Sequence, residues 1–551
     1  MANLVEIRNL KVEATTDSGR RVEIIKGVSL TIAEGESVAF IGESGSGKTT
    51  IAMTLMGYAR AGCRISGGDV WVDGDNMVTL SEKQRAAIRG TKIAYVPQSA
   101  AAAFNPAATI MDQVIEVTRI HGLMSPAAAR RKAIELFRAL SLPEPAAIGN
   151  RYPHQVSGGQ LQRLAAAMAL IGNPKLVIFD EPTTALDVTT QVEVLRAFKA
   201  VIKQYRIACV YVSHDLAVVA QIADRIVVLK SGQTQEIGTT HDILTQPRHP
   251  YTQSLLAAFK PKPHSRTAAP ESPSHPLLEV DAMTVGYGPV QRDGQPLIVA
   301  VRSVSLKVER GRNLGIVGES GCGKSTLARA IAGIHPAHAG DIIFDGHELW
   351  NTARKRTRSQ LRELQIVFQH ADTALNPAKS IEDILGRPLA FYHGMDRKAR
   401  DVRINALLDM VHLPRTVRHR HPGELSGGEK QRINFARALA ADPKLILCDE
   451  ITSALDTVVT AAVIELLKEL QRELGLSYVF ISHDLSVVEA ICDEIIVMYR
   501  GQKMEEITPA ERKAPQHPYS KLLFSSVPRL DPSWLDALRQ DPDQVRDYCQ
   551  R

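Results

Sequence analysis

The stretch GESGSGKTT, Gly42 to Thr50, recurs almost letter for letter as GESGCGKST, Gly318 to Thr326. Both fit the pattern G-x-x-x-x-G-K-[ST], and phosphate chemistry explains the spacing. The glycines let successive backbone N–H groups converge on phosphate oxygens, the lysine reaches the outer phosphates, and the last hydroxyl ligates Mg2+. Each copy follows an apolar run, ESVAFI or RNLGIV, and precedes a segment of helical pattern, TTIAMTLMGYA or STLARAIAGI. Strand, loop and helix is the order this chemistry requires. A single copy is open to reading as a glycine-rich turn that binds nothing. Two copies in matching contexts point to nucleotide-phosphate binding by Gly42, Glu43, Ser44, Gly45, Ser46, Gly47, Lys48, Thr49 and Thr50, and likewise by Gly318, Glu319, Ser320, Gly321, Cys322, Gly323, Lys324, Ser325 and Thr326.

The repeat extends well beyond these loops. VSGGQLQR (Val156 to Arg163) returns as LSGGEKQR (Leu425 to Arg432), LVIFDEPTTALD (Leu176 to Asp187) as LILCDEITSALD (Leu445 to Asp456), and YVSHDL as FISHDL. Order and local spacing agree in both halves, which is the mark of a duplicated domain rather than a solenoid unit. Between the copies lies KPKPHSRTAAPESPSHP, rich in Pro, Ser and charge, which reads as an extended linker. The expected division is a first domain over residues 1–259, a linker over 260–276, a second domain over 277–528 and a tail over 529–551, whose PSWLDALRQ is expected to form a short amphipathic helix.

The chain has 551 residues, 44% hydrophobic and 23% charged, a composition of globular domains with sizeable cores. No run approaches the apolar length of a membrane span, and the N-terminus MANLVEIRNL has no basic region followed by an apolar core. A cytoplasmic location is expected, with any membrane role supplied by partners. The cysteines, Cys63, Cys209, Cys322, Cys448, Cys492 and Cys549, form no C-x-x-C pair and are expected to be reduced structural thiols. A net charge of +6 is modest, and the densest basic run, ARKRTRSQLR from Ala353, is short, so a solvated surface is favoured over nucleic-acid binding.

The runs LVIFDE and LILCDE read as buried parallel strands ending in paired carboxylates. There Asp180 and Asp449 are expected to hold the Mg2+ shell, and Glu181 and Glu450 to orient and polarise the attacking water. A lone Asp-Glu pair is usually only a strand terminus; its place downstream of a phosphate loop and an S-G-G segment changes that judgement. His214 and His483 follow apolar β-branched runs at the same distance from each acidic pair, and the duplication makes each, otherwise read as structural, a candidate sensor of the γ-phosphate. Gln98 and Gln369 end further strand-like runs, each followed by an Asn-Pro turn, Phe104 to Pro106 and Leu375 to Pro377. Either is a turn residue or a group that reaches the metal and the attacking water.

Taken together, these segments resemble the ATP-binding cassette (ABC) ATPases, with the family's Walker A, Q-loop, signature, Walker B, D-loop and H-loop in order in both halves. The resemblance covers nearly the whole chain. It implies an α/β fold: two P-loop ABC ATPase domains in one chain, each with a mixed sheet core and a helical subdomain. It also implies two ATP molecules in one head-to-tail interface, Lys48 and Thr49 facing Ser426, Gly427, Gly428 and Glu429, and Lys324 and Ser325 facing Ser157, Gly158, Gly159 and Gln160. The metal ligands implied are Thr49, Gln98 and Asp180 in one half and Ser325, Gln369 and Asp449 in the other. Tyr287, in VGYGPV, is the expected adenine-stacking ring of the second half, whereas ATTDSGRRVEIIKG in the first half offers no aromatic residue.

Within that family the chain looks most like the fused ATPases of oligopeptide and dipeptide importers, because RHPYTQSLL (from Arg248) and QHPYSKLL (from Gln516) follow the two cassettes. The plain reading of those segments is a Pro-started helix packing on its own domain. The departures are Glu429 for the usual glutamine, Ile451 for the proline after the acidic pair, and Val156 for leucine. The resemblance implies an energy-coupling subunit on the cytoplasmic face of the inner (plasma) membrane, working with two transmembrane permeases and an extracytoplasmic solute-binding protein. The rival is a soluble tandem-cassette ATPase acting on ribosomes or nucleic acid, against which the Pro/Ser-rich linker stands. A nucleotide-binding regulator without hydrolysis is disfavoured by Glu181 and Glu450.

Overall fold

A computed structural model describes residues 3–15, 19–184, 186–259, 275–292, 294–453, 455–509, 511–512, 514–539 and 548. Most of the expected linker, much of the tail, Cys549 and the alanines of both ALD segments lie outside the described residues. The chain divides into two units, Met1–Phe259 with Pro528–Arg539, and Lys260–Val527 with Gln540–Arg551.

In the first unit, β1 (Asn3–Thr15), β2 (Arg21–Ala33), β4 (Cys63–Val72) and β5 (Asp75–Asn76) form an antiparallel sheet in the order β2-β1-β4-β5. A second sheet runs β10-β9-β3-β8-β7-β6, built from β3 (Ser37–Ile41), β6 (Ile93–Val96), β7 (Leu176–Asp180), β8 (Ala208–Val212), β9 (Arg225–Lys230) and β10 (Gln233–Thr239). All pairings in it are parallel except β9 with β10. Strands β3, β7 and β8 are buried at every residue, which is why they read as continuous apolar runs rather than alternating ones. One core joins both sheets through side chains such as Ile7, Phe40, Ile51, Val70 and Val210.

Between β6 and β7 the chain leaves the sheets for a set of helices that includes Ile110–Val114, Pro126–Ala139 and Gly158–Leu170. Phe137 and Leu164 on these helices, and Ile148 in the turn between them, are fully buried. The segment expected to be a tail packs into this unit from Pro528 to Arg539, and Trp534–Ala537 is helical. The Gln221 amide donates to the carbonyls of Arg529 (2.8 Å) and Asp531 (3.0 Å) and accepts from the Leu535 N–H (3.0 Å). Arg196 caps the Leu538 carbonyl at 2.6 Å, and Trp534 and Leu535 are buried.

The second unit repeats the design. Strands β11 (Leu278–Val290), β12 (Pro296–Val308), β14 (Ala339–Phe344) and β15 (His347–Glu348) form the antiparallel sheet. Strands β13 (Asn313–Val317), β16 (Leu364–Val367), β17 (Leu445–Asp449), β18 (Ser477–Ile481), β19 (Glu494–Tyr499) and β20 (Gln502–Ile507) form the other, in the order β16-β17-β18-β13-β19-β20. Helices Ile381–His393, Arg397–Met410 and Gly427–Leu439 lie between β16 and β17. In each unit β3 or β13 therefore ends beside β7 or β17 with one strand between, which brings the phosphate loop to the acidic pair.

Candidate functional site

Each phosphate loop bends through glycines that no other residue replaces. Gly42 has φ +151° and a Cβ there would stand 2.1 Å from the Leu229 carbonyl oxygen; Gly318 has φ +154° and would meet the Met498 oxygen at 2.2 Å. Gly47 and Gly323, left-handed at φ 99° and 101°, start the helices Lys48–Thr54 and Lys324–Ile331. Lys48 turns back into its own loop, donating to the carbonyls of Gly42 (2.7 Å) and Glu43 (2.8 Å). Lys324 does the same with Gly318 and Glu319, both at 2.8 Å. Both ammonium groups are buried, so these carbonyls hold a charge that a bound phosphate would otherwise balance.

At the end of β7, Asp180 accepts from the Thr49 hydroxyl (2.8 Å) and, on its other oxygen, from the Tyr95 hydroxyl (2.8 Å). At the end of β17, Asp449 accepts from the Ser325 hydroxyl at 2.6 Å. Burial pushes both carboxyl groups up in pKa, against the pull of those hydroxyl donors. Among the described residues no three His, Cys, Asp or Glu side chains cluster as a metal cage. A buried carboxylate touching a Ser/Thr hydroxyl beside a phosphate loop suits Mg2+, a hard cation that takes few protein oxygens and completes its shell with phosphate and water. The residues present fit it.

The following glutamates are held in a strained backbone. Glu181 and Glu450 have φ 48° and 49°, a left-handed conformation unusual for a non-glycine residue. Glu181 accepts from Gln98 (3.0 Å) and Thr184 (3.3 Å) and meets His214 Nδ1 at 3.2 Å. Glu450 accepts from Gln369 at 2.8 Å, and His483 Nδ1 stands 3.9 Å away, an ion-pair separation. Burial opposes charge on Glu181 and on His214, and their mutual attraction outweighs it, lowering the glutamate and raising the histidine. In the second unit the histidine itself is the leading influence on Glu450, which is again lowered while His483 is raised. Gln98 and Gln369, expected at the metal, are bonded here to Glu181 and Glu450, the residues that follow Asp180 and Asp449.

The S-G-G segments open helices Gly158–Leu170 and Gly427–Leu439 as reciprocal capping boxes, Ser157 with Gln160 and Ser426 with Glu429. Glu429 thus takes over the capping of the usual glutamine, and its carboxylate also accepts the Ser426 hydroxyl at 2.8 Å. The two glycines of each segment differ. A Cβ on Gly159 would stand 2.1 Å from Thr190 and on Gly428 2.7 Å from Val459, whereas Gly158 and Gly427 meet nothing closer than 3.8 Å within their own units. Tyr287 lies near the second phosphate loop: its hydroxyl is 3.0 Å from that of Thr326, and its ring lies 4.7 Å from His335.

Sequence reading missed Tyr95, because a tyrosine inside IAYV looks like any strand aromatic. It missed as well what the HPY tyrosines touch, although their duplication was a signal. Tyr251 and Tyr519 reach back to the phosphate loops of their own units.

The fold and site define a P-loop ATPase with two cassettes. The ABC transporter family model matches residues 25–184 and 301–453, and that of the oligopeptide/dipeptide transporter C-terminal region matches 235–283 and 506–551. The glutathione import ATP-binding protein GsiA of Pectobacterium atrosepticum is 36% identical over 96% of this chain and 90% of its own length. That of Escherichia coli K12 is 35% identical over 98% and 92%. A dimeric ATP-binding cassette solved with ADP and Pi is 30% identical, covers 43% of this chain and 98% of its own, and superposes with a TM-score of 0.39. The chain belongs to the ABC transporter family, and its activity is ATP hydrolysis coupled to transport.

Proposed function

We propose that this chain is the energy-coupling subunit of an importer for peptide-class solutes, glutathione being what its named relatives import. It works at the cytoplasmic face of the membrane with two transmembrane permeases and an extracytoplasmic solute-binding protein. The observation that carries the reading is the completeness of both cassettes: each pairs a phosphate loop with a buried aspartate, a strained glutamate and a histidine. Among the described residues no helix is long and apolar enough to cross a membrane, so transport calls for separate spanning subunits.

Lys48 and Lys324 move from their loop carbonyls to the incoming phosphates. Thr49 with Asp180, and Ser325 with Asp449, would hold Mg2+, which when bound would supply positive charge beside the phosphate oxygens. Glu181 and Glu450, ionised and oriented by Gln98 and Gln369, polarise the attacking water, and the imidazoles of His214 and His483 answer to the γ-phosphate. Each S-G-G helix start closes over the loop of the other cassette, Ser426 over Lys48 and Ser157 over Lys324. In support, the small size of Gly158 and Gly427 has no reason within their own packing, yet suits close approach of a phosphate to a helix N-terminus. Tyr287 stacks the adenine of the second ATP.

Coupling falls to the segments after the two glutamines. In the second unit a groove of about 1330 Å³ opens there, lined by Phe368, Asn376, Arg387, Phe391 and Arg400 among others, mixed apolar and charged as a surface for a permease's cytoplasmic helix would be. Reconstitution with the permeases tests the whole reading. Ser426→Arg should cripple nucleotide closure at Lys48 and Ser157→Arg at Lys324, and cross-links from residues 370–377 should reach a permease. Contacts from each S-G-G segment to the loop of its own cassette, or glutathione and peptide uptake unaffected by the chain's removal, would sink it.

A further inference from the structure

The HPY segments do more than start a helix. Glu236 on β10 accepts the backbone N–H groups of Arg248 (2.9 Å) and His249 (3.1 Å), and His249 Nδ1 accepts from the Tyr251 N–H at 3.2 Å. Pro250, at the first position of helix Pro250–Phe259, needs no donor. With the helix start thus fixed, the Tyr251 ring is buried and its hydroxyl accepts the Glu43 backbone N–H at 3.2 Å. The second unit repeats each bond: Glu505 holds Gln516 and His517, His517 caps Tyr519, and the Tyr519 hydroxyl accepts the Glu319 N–H at 3.2 Å.

The ring settings differ while the hydroxyl bond does not. Tyr251 lies under the Lys230 ammonium, 4.4 Å from the ring centre, and Tyr519 packs on Tyr499 at 4.6 Å. A tyrosine that merely filled space would have no reason to keep the same hydroxyl partner in two different surroundings. That partner is telling, since Lys48 and Lys324 rest on the carbonyls of the same residues, Glu43 and Glu319. The second residue of each loop is gripped at its N–H by the tyrosine and at its C=O by the lysine.

We infer that Tyr251 and Tyr519 are positioning residues that preform the two phosphate loops, and that the Glu, His and Pro beside them serve to aim those hydroxyls. The lysine leaves when phosphate arrives; the tyrosine stays and keeps the loop entrance in place, so the loop meets ATP already shaped. The inference rests on these loops being the ATP-binding elements.

The test uses the full chain with Tyr251→Phe, Tyr519→Phe and both, each change removing a single oxygen. Exchange of loop amides, affinity for a fluorescent ATP analogue, kcat and KM, and unfolding temperature are followed together. Each variant should speed exchange at its own loop and weaken nucleotide binding there by about three- to tenfold, the weight of one hydrogen bond. The value of kcat should stay within about twofold and the unfolding temperature should fall by no more than about two degrees, the worth of one hydrogen bond. Unchanged exchange and affinity overturn the assignment, as does a fall in unfolding temperature that accounts for the lost binding, which would make the tyrosines packing residues. Nucleotide binding retained by Lys48→Ala with Lys324→Ala would overturn the loop reading itself, and this one with it.

Discussion

The two cassettes share a skeleton and differ in who donates to it. Asp180 is held on both oxygens, by Thr49 and by Tyr95, while Asp449 is held by Ser325 alone among the described side chains, because Ile366 stands at the strand position equivalent to Tyr95. His214 bonds Glu181 at 3.2 Å, whereas His483 stands 3.9 Å from Glu450. Tyr287 beside the second loop is matched by Ala14 in the first. What repeats is backbone: the loop bends, the left-handed glutamates, the strand order. What varies is the side chains one layer out, where a substitution retunes a group without moving it. The lesson is that two sites on one scaffold need not be equal.

The largest effect should come from the shared part. Glu181→Gln with Glu450→Gln should cut turnover by a hundredfold or more, on the order of 10²–10⁴ for a group acting on the reacting water, with ATP binding preserved. Comparing the single variants by steady-state hydrolysis asks how far the sites are equal; wild-type turnover in the double variant would remove both residues from their role. Next in size is the donor difference. Tyr95→Phe should weaken Mn2+ binding at the first site about tenfold, the worth of a hydrogen bond to a charged group, and leave the second unchanged. Titration of Mn2+ with a nonhydrolysable ATP analogue, followed by electron paramagnetic resonance, reads both sites, and equal shifts at both would erase the contrast.

A smaller effect concerns the first unit alone. Gln221, which binds three backbone groups of the C-terminal segment, corresponds to Ala490 in the second unit. Gln221→Ala should cost about 1–3 kcal/mol and speed amide exchange across residues 528–539, and exchange that stays slow would show the segment held by its apolar contacts instead. The smallest is a matter of pH. The His214 pKa lies above the ordinary 6.5 and that of Glu181 below the ordinary 4.5. The histidine's share of stability is therefore full below about pH 6.5 and fades as pH rises through its raised value; the glutamate's is full above about pH 4.5 and fades as pH falls through its lowered one. His214→Gln should lower the unfolding temperature by a degree or so near pH 6 and less near pH 9. His483→Gln should show the same sign of dependence, since His483 is raised and Glu450 lowered as well.

Much of the chemistry was legible without coordinates because it is local. A phosphate loop works through consecutive amides, so its glycines and lysine must sit at fixed spacing. A strand buried on both faces must be apolar throughout, so LVIFD and LILCD announce where the carboxylates end up. The duplication then set fold class and family together. Other partners are chosen across long stretches of chain. The Glu43 amide meets a hydroxyl 208 residues away, Asp180 meets Tyr95 across 85, and Gln221 meets carbonyls about 310 residues on.

No spacing rule encodes such pairs, since the length of chain between two groups says little about their distance once the sheets have closed. The sequence by itself determined two ATP-hydrolysing cassettes and pointed to their candidate reactive groups. Only the tertiary structure decided which neighbours aim those groups, because hydrogen bonds act over about 3 Å and it is packing that brings distant residues to that range.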